Sequence, residues 1–93
     1  MPSTKIRIPR HRAPTHPGQM LQEEFLIPLE LSQHELARAI HVSDWRINDL
    51  VIRKSRITPN IALRLSDYFG VSAAFWMNLQ ERWDVYYQSR THS

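Results

Sequence analysis

The chain contains no cysteine, so a disulfide framework and a thiolate metal site are both excluded, and nothing in it asks for an oxidising compartment. Glycine is nearly as scarce. Gly18 and Gly70 are the only two, too few and too far apart for a phosphate-cradling loop. Apolar runs never exceed a few residues, and no charged-then-apolar leader opens the sequence. That predicts neither a membrane span nor a signal peptide, and hence a cytoplasmic protein. The five histidines, His11, His16, His34, His41 and His92, lack the close pairing of a metal site. Glu23-Glu24 has no nucleophile beside it and reads as a pair of solvated carboxylates. No enzyme, metal or cofactor is expected.

What is there fits one small domain. Ninety-three residues bury limited apolar surface, so a homodimer is expected to add stability. The net charge of +3 is unevenly spread: Lys5, Arg7, Arg10 and Arg12 stand in the first fourteen residues, and the remainder is slightly negative. Residues 1–15 therefore form a basic, proline-rich arm with too little apolar content to fold alone. The arm has three readings: a solvated terminus, a contact to phosphates or the minor groove, or an edge strand through Lys5-Ile6-Arg7-Ile8.

The stretch Leu31–Ile57 organises the rest. Ser32 followed by Glu35 is a capping-box pattern that starts a helix, and Leu36, Ala37 and Ile40 give it one apolar face. That helix is expected to stop at His41. Ser43 reads as the cap of a second short helix carrying Ile47, Leu50 and Val51 inward. Two short helices joined so tightly must cross steeply, the geometry that places the second in a DNA major groove. Ser43, Asp44, Trp45, Arg46, Asn48 and Asp49 then face outward, and Arg53, Lys54 and Arg56 form a basic knot beyond. Arg46 suits guanine, Asn48 adenine or a phosphate, and Asp49 a cytosine amino group; Arg53 and Lys54 suit phosphates. The opposing readings are a solvated Arg46 or one paired with Asp49, and a Trp45 covered by a protein neighbour.

Around this motif, Pro17 suits a first helical position, and Leu21 and Phe25 continue a helix to about Leu26, where Pro28 blocks it. Leu29 and Leu31 are expected as buried anchors. Thr58-Pro59 opens a fourth helix that ends at Gly70. Ser72 caps a fifth, in which Phe75, Trp76, Leu79, Trp83 and Tyr86 recur at helical steps. That aromatic stripe is expected to close the core in part and to form a dimer interface in part. The boundaries are arm 1–15, domain 16–88 and tail 89–93.

The SQxELA segment and the following turn resemble phage-repressor and Cro-type DNA-binding domains. Taken in order, His16-Pro17-Gly18, Arg46-Ile47-Asn48, Ile57-Thr58, Ala62-Leu63-Arg64-Leu65, Tyr68-Phe69-Gly70 and the segment from Phe75 to Gln80 (FWMNLQ) resemble the HigA-type antitoxins, also called virulence-associated protein I. The likeness covers roughly residues 16–85. It implies an all-α, five-helix, repressor-like helix-turn-helix domain that binds double-stranded operator DNA as a homodimer and neutralises a HigB-like mRNA-cleaving toxin. It further implies that Gln33 and Ser43 fix the DNA backbone and that Asp44, Trp45 and Asp49 occupy base-reading positions. The rivals are a stand-alone transcriptional regulator and a protein-interaction module with weakened DNA binding. The sequence departs from the family in having Trp45 where arginine is frequent, and His41, Arg53 and Arg56 where glycine is frequent. A non-glycine there either holds a left-handed conformation at some cost or marks a changed loop.

Overall fold

The computed structural model describes residues 13–91. Five helices follow one another, and no strand occurs among the described residues. They are α1 (residues 17–29), α2 (Gln33–Ile40), α3 (Asp44–Val51), α4 (Pro59–Phe69) and α5 (Ala73–Thr91). The expected arm lies mostly outside the described residues. At the other end α5 continues past the expected boundary at 88 to Thr91.

Most helix starts follow from the residues expected to set them. Ser32 Oγ accepts from Glu35 N at 3.0 Å while Glu35 Oε1 accepts from Ser32 N at 2.9 Å, a complete capping box. These bonds from Ser32 hold the Glu35 carboxyl below its usual range. Thr58 Oγ1 accepts from Ile61 N at 3.2 Å, and Ser72 Oγ from Phe75 N at 3.2 Å. His16 does the same work for α1, its Nδ1 accepting from Gly18 N at 2.9 Å. Ser43 departs from expectation: its backbone is extended as a cap requires, but its hydroxyl makes no capping bond. Asp44 follows at once and supplies negative charge to the positive end of that helix.

The expected stop before Pro28 does not occur. The helix runs through it to Leu29 because Leu21–Leu26 is wound as a π-helix, with Ile27 N donating to Gln22 O five residues back. A proline ring in regular α-register meets the carbonyl four residues earlier; widening the preceding turn relieves that crowding. The wider turn also sets Leu21 and Leu26, five residues apart, on the buried side together. Glu30 then closes the helix in the left-handed conformation at φ 55°, with Leu31 N bonding Leu26 O at 2.9 Å and Glu30 N bonding Ile27 O at 3.0 Å. This is the double bond pattern of a Schellman end. Leu31 packs against the core as expected, but Leu29 is exposed, because the longer helix carries it past the core.

The same ending recurs at two of the three positions where glycine is frequent. His41 (φ 63°) and Arg53 (φ 65°) are left-handed, whereas Arg56 is not. Val42 N bonds Ala37 O at 2.9 Å after α2, and Lys54 N bonds Asp49 O at 2.7 Å after α3. The carbonyls these bonds satisfy offset the side-chain crowding that glycine avoids.

Leu21, Leu36, Ala37, Ile47, Leu50, Ile57, Ala62, Leu65 and Trp76 form the buried centre. Phe25 joins three helices, with ring centroids 4.8 Å from Phe69 and 5.1 Å from Trp76. Trp76 is fully buried and Leu79 nearly so. Both were expected at the dimer interface; instead the protomer's own core consumes them and leaves no surface for a second copy. Phe75, Trp83 and Tyr86 remain half-buried.

Two polar side chains, both in segments that carry the family resemblance, tie the loops down. Gln80 is buried; its Oε1 accepts from Ile57 N at 2.7 Å and its Nε2 donates to Asp84 at 3.0 Å. Arg64 Nη1 donates to Ile40 O at 2.7 Å, satisfying a carbonyl at the end of α2.

Candidate nucleic-acid interface

The outward face of α3 follows from what its inward face buries. Ile47 and Leu50 are sealed in the core, which leaves Asp44, Trp45, Arg46 and Asn48 in solvent and Asp49 half-buried. Trp45 is 65% exposed, the most exposed large apolar side chain among the described residues. The Arg46 guanidinium lies 5.9 Å from its ring centre, within cation–π range. No ion pair joins Arg46 to Asp49 among the described residues, so Arg46 keeps its donors for another partner.

Two side-chain bonds span the turn between α2 and α3. Asn48 Nδ2 donates to Gln33 Oε1 at 3.1 Å, and His34 Nδ1 meets Asp44 Oδ2 at 2.7 Å. Asn48 thus spends one N–H on Gln33 and retains its carbonyl oxygen and second N–H, enough for a bidentate contact to an adenine edge. Ser43, with its hydroxyl free of the capping role, stands at the same end of α3.

The far end of α3 is held equally firmly. Gly18 lies so close that a Cβ there would sit 1.8 Å from the Leu50 carbonyl oxygen, so α1 and α3 cross at backbone contact. Arg53 Nη2 donates to Gln19 Oε1 at 3.0 Å, and its guanidinium lies 5.7 Å from the Trp83 ring centre. The His16 ring meets Trp83 edge-on at 4.8 Å. Burial, reinforced by the nearby Arg53 charge and opposed by Asp84, holds the His16 pKa below the ordinary histidine value.

The basic knot does not act as one unit. Arg56 is bidentate to Asp84, at 2.7 and 3.4 Å, and these bonds, with help from Gln80, keep the Asp84 carboxyl below its usual range. Arg53 is turned onto Gln19 and Trp83. Of the three, Lys54 alone makes no side-chain bond among the described residues and stays exposed. The sequence therefore located the outward face of α3 but missed His34 and the internal commitments of Arg53 and Arg56, because those partners lie ten to thirty-four positions away. Among the described residues no helix is long and apolar enough to cross a membrane.

Comparison with known proteins places this geometry. The helix-turn-helix family matches residues 22–76. Virulence-associated protein I of Dichelobacter nodosus is 50% identical over 70 residues, which span 75% of this chain and 65% of that protein, just under two thirds of its length. Antitoxin HigA-1 of Vibrio cholerae is 32% identical, covering 81% of this chain and 70% of its own. The Pseudomonas aeruginosa antitoxin HigA, solved with the higBA promoter, superposes with a TM-score of 0.81 at 41% identity over 84% of this chain and 85% of that one. The chain belongs to the helix-turn-helix family, in the group that holds the HigA antitoxins and virulence-associated protein I.

Proposed function

We propose that this protein is the antitoxin of a type II toxin–antitoxin pair, a cytoplasmic autorepressor that reads its own operator and neutralises a HigB-like mRNA-cleaving toxin. The observation that carries the DNA-binding half is the presentation of α3. Its inner face is buried, Asp44 and Asn48 are bonded across the turn to α2, Leu50 lies against the backbone of α1 at Gly18, and its outward side chains are of the kinds that can contact base edges. A relative 41% identical to it has been solved on promoter DNA. The toxin-binding half rests on family membership. The relatives named above carry antitoxin and virulence-associated names, and none an enzyme's.

In this reading Gln33 and Ser43 fix the DNA backbone, with Asp44, Trp45, Arg46, Asn48 and Asp49 along the base edges. Lys54 neutralises a phosphate, and Arg53 does so only by leaving Gln19. Residues 16–88 form the binding domain, preceded by the basic arm 1–15 and followed by the tail 89–93. Two protomers sit about one DNA turn (~34 Å) apart, joined through the half-buried Phe75, Trp83 and Tyr86.

A salt titration of binding to the duplex upstream of its own gene, with unrelated duplex as control, tests it. Specific binding that weakens steeply with salt is the expected result, through counterion release. Arg46→Ala should relax preference at one position and cost ~1–3 kcal/mol. One observation favours a second reading, a protein-interaction module: the exposed Trp45 indole on a helix that also carries Asp44 and Asp49. Binding no tighter than to unrelated duplex, and insensitive to salt, would select that alternative.

A further inference from the structure

Gln33 and His34 stand side by side at the start of α2, and both reach across the turn to α3. Gln33 holds a base-reading residue, Asn48. His34 holds Asp44, the first residue of α3, at 2.7 Å, with both side chains mostly in solvent, 61% and 59% exposed. An unpartnered Asp44 would turn a carboxylate toward the phosphates of any duplex lying along α3, and like charges at close range oppose binding. An imidazole with Nδ1 on that carboxylate still has Nε2, which has no partner among the described residues and can donate to a phosphate oxygen.

We propose that His34 is a DNA-face residue acting as an imidazolium: through Nδ1 it neutralises Asp44, and through Nε2–H it meets a backbone phosphate, so that operator binding takes up a proton at each protomer. The proposal rests on the DNA-binding reading above. With neutral imidazole the His34–Asp44 pair presents a net negative charge; with imidazolium it presents none and gains a donor. A phosphate brought alongside favours the charged ring, because an opposite charge nearby stabilises it. Affinity is then linked to pH: a complex that holds more protons than its separated parts weakens as pH rises. Charged groups close to His34 along the chain are Glu30, Glu35 and Arg38, and across the turn Asp44 and Arg46 stand at the start of α3; Arg64 and Asp67 of α4 lie by Ile40 and His41, at the opposite end of α2. Among the described residues only Asp44 bonds to it.

The test is fluorescence anisotropy of a labelled duplex from upstream of the gene, at fixed ionic strength, from about pH 6 to about pH 8, the window in which histidine changes charge. Wild-type affinity should fall by up to about tenfold per pH unit for each protomer that takes up a proton. His34→Gln can still donate to Asp44 but cannot become charged; it should bind like wild type at the alkaline end throughout, with a flattened slope. Asp44→Asn should show a shallower slope than wild type, and His41→Gln should keep the wild-type slope. Specific binding with no pH slope, or a slope that His34→Gln leaves intact, overturns the proposal while leaving the DNA reading standing. Failure of wild type to prefer the upstream duplex even at about pH 6 defeats that reading and this proposal with it.

Discussion

Replacing Gly18 by alanine adds one methyl group at the tightest point of the domain. The new Cβ would sit 1.8 Å from Leu50 O, 2.6 Å from Leu50 C and 3.0 Å from Val51 Cα. All three obstacles are backbone, so no side-chain rotation relieves them. Taking the oxygen from 1.8 Å to the 3.4 Å at which ordinary contact begins requires α1 and α3 to separate by about 1.6 Å, a shift that also loosens the packing around Leu21 and Leu50. Overpacking typically costs about 1–3 kcal/mol, and a rigid obstacle puts this case near the top of that range. Alanine's better helix propensity returns at most about 1 kcal/mol. The net loss of about 2–3 kcal/mol corresponds to a fall in Tm of about 10–20 °C for a domain this size. Thermal unfolding followed by circular dichroism measures it. Gly70→Ala is the control: it meets nothing within 4 Å and carries only the strain of φ +79°, so its cost should stay near 1 kcal/mol. A Gly18→Ala protein that melts at or above wild type would refute the backbone-contact argument.

Three further outcomes follow from the same structure. Gln80→Leu should destabilise by about 1–3 kcal/mol, since it strands the buried Ile57 N–H; denaturant unfolding at neutral pH measures it, and a change below half a kcal/mol would show that another acceptor takes over. Because the folded-state pKa of His16 is depressed, the unfolded chain binds a proton first. Its contribution is therefore complete above the ordinary histidine pKa and is lost as pH falls through that value toward the folded one; His16→Asn, which retains a capping side chain, should flatten that part of a Tm-against-pH curve. Asp84, also depressed, contributes above the usual carboxylate range and loses that contribution as pH falls through its folded value. Asp84→Asn should remove this acid-side decline, and an unchanged profile would show the bond to Arg56 to be without thermodynamic weight.

How much of this was legible in the sequence depended on the range of the interaction. Ser32 with Glu35, Thr58 with Pro59, and Gly70 announce themselves because a cap and its partner lie within four residues, and the apolar faces of α2, α3 and α4 repeat at fixed steps. Pro28 misled because a proline's effect depends on the register of the preceding turn, and a π-turn has no strong local signature. Trp76 and Leu79 share a stripe with Trp83 and Tyr86, and nothing in spacing separates those that meet α1 from those that emerge beyond it. On the candidate DNA face the residues of α3 could be picked out from helical period alone. Which of the neighbouring cations were already spoken for could not, because Arg56 finds Asp84, and Arg53 finds Gln19, only after the chain has folded back.

The clamping of α3 at both ends has a consequence for discrimination. A helix tied to α2 through Gln33 and His34, and pressed against Gly18 near its far end, resists tilting to follow an imperfect groove. More of the adjustment that a mismatched site demands would then fall to the nucleic acid, through bending, twist or groove width. A duplex rich in flexible pyrimidine–purine steps would then be preferred even where no side chain touches it. A substitution that loosens the packing at Gly18, away from the outward face, would make the protein less choosy about stiffness before it made it less choosy about letters.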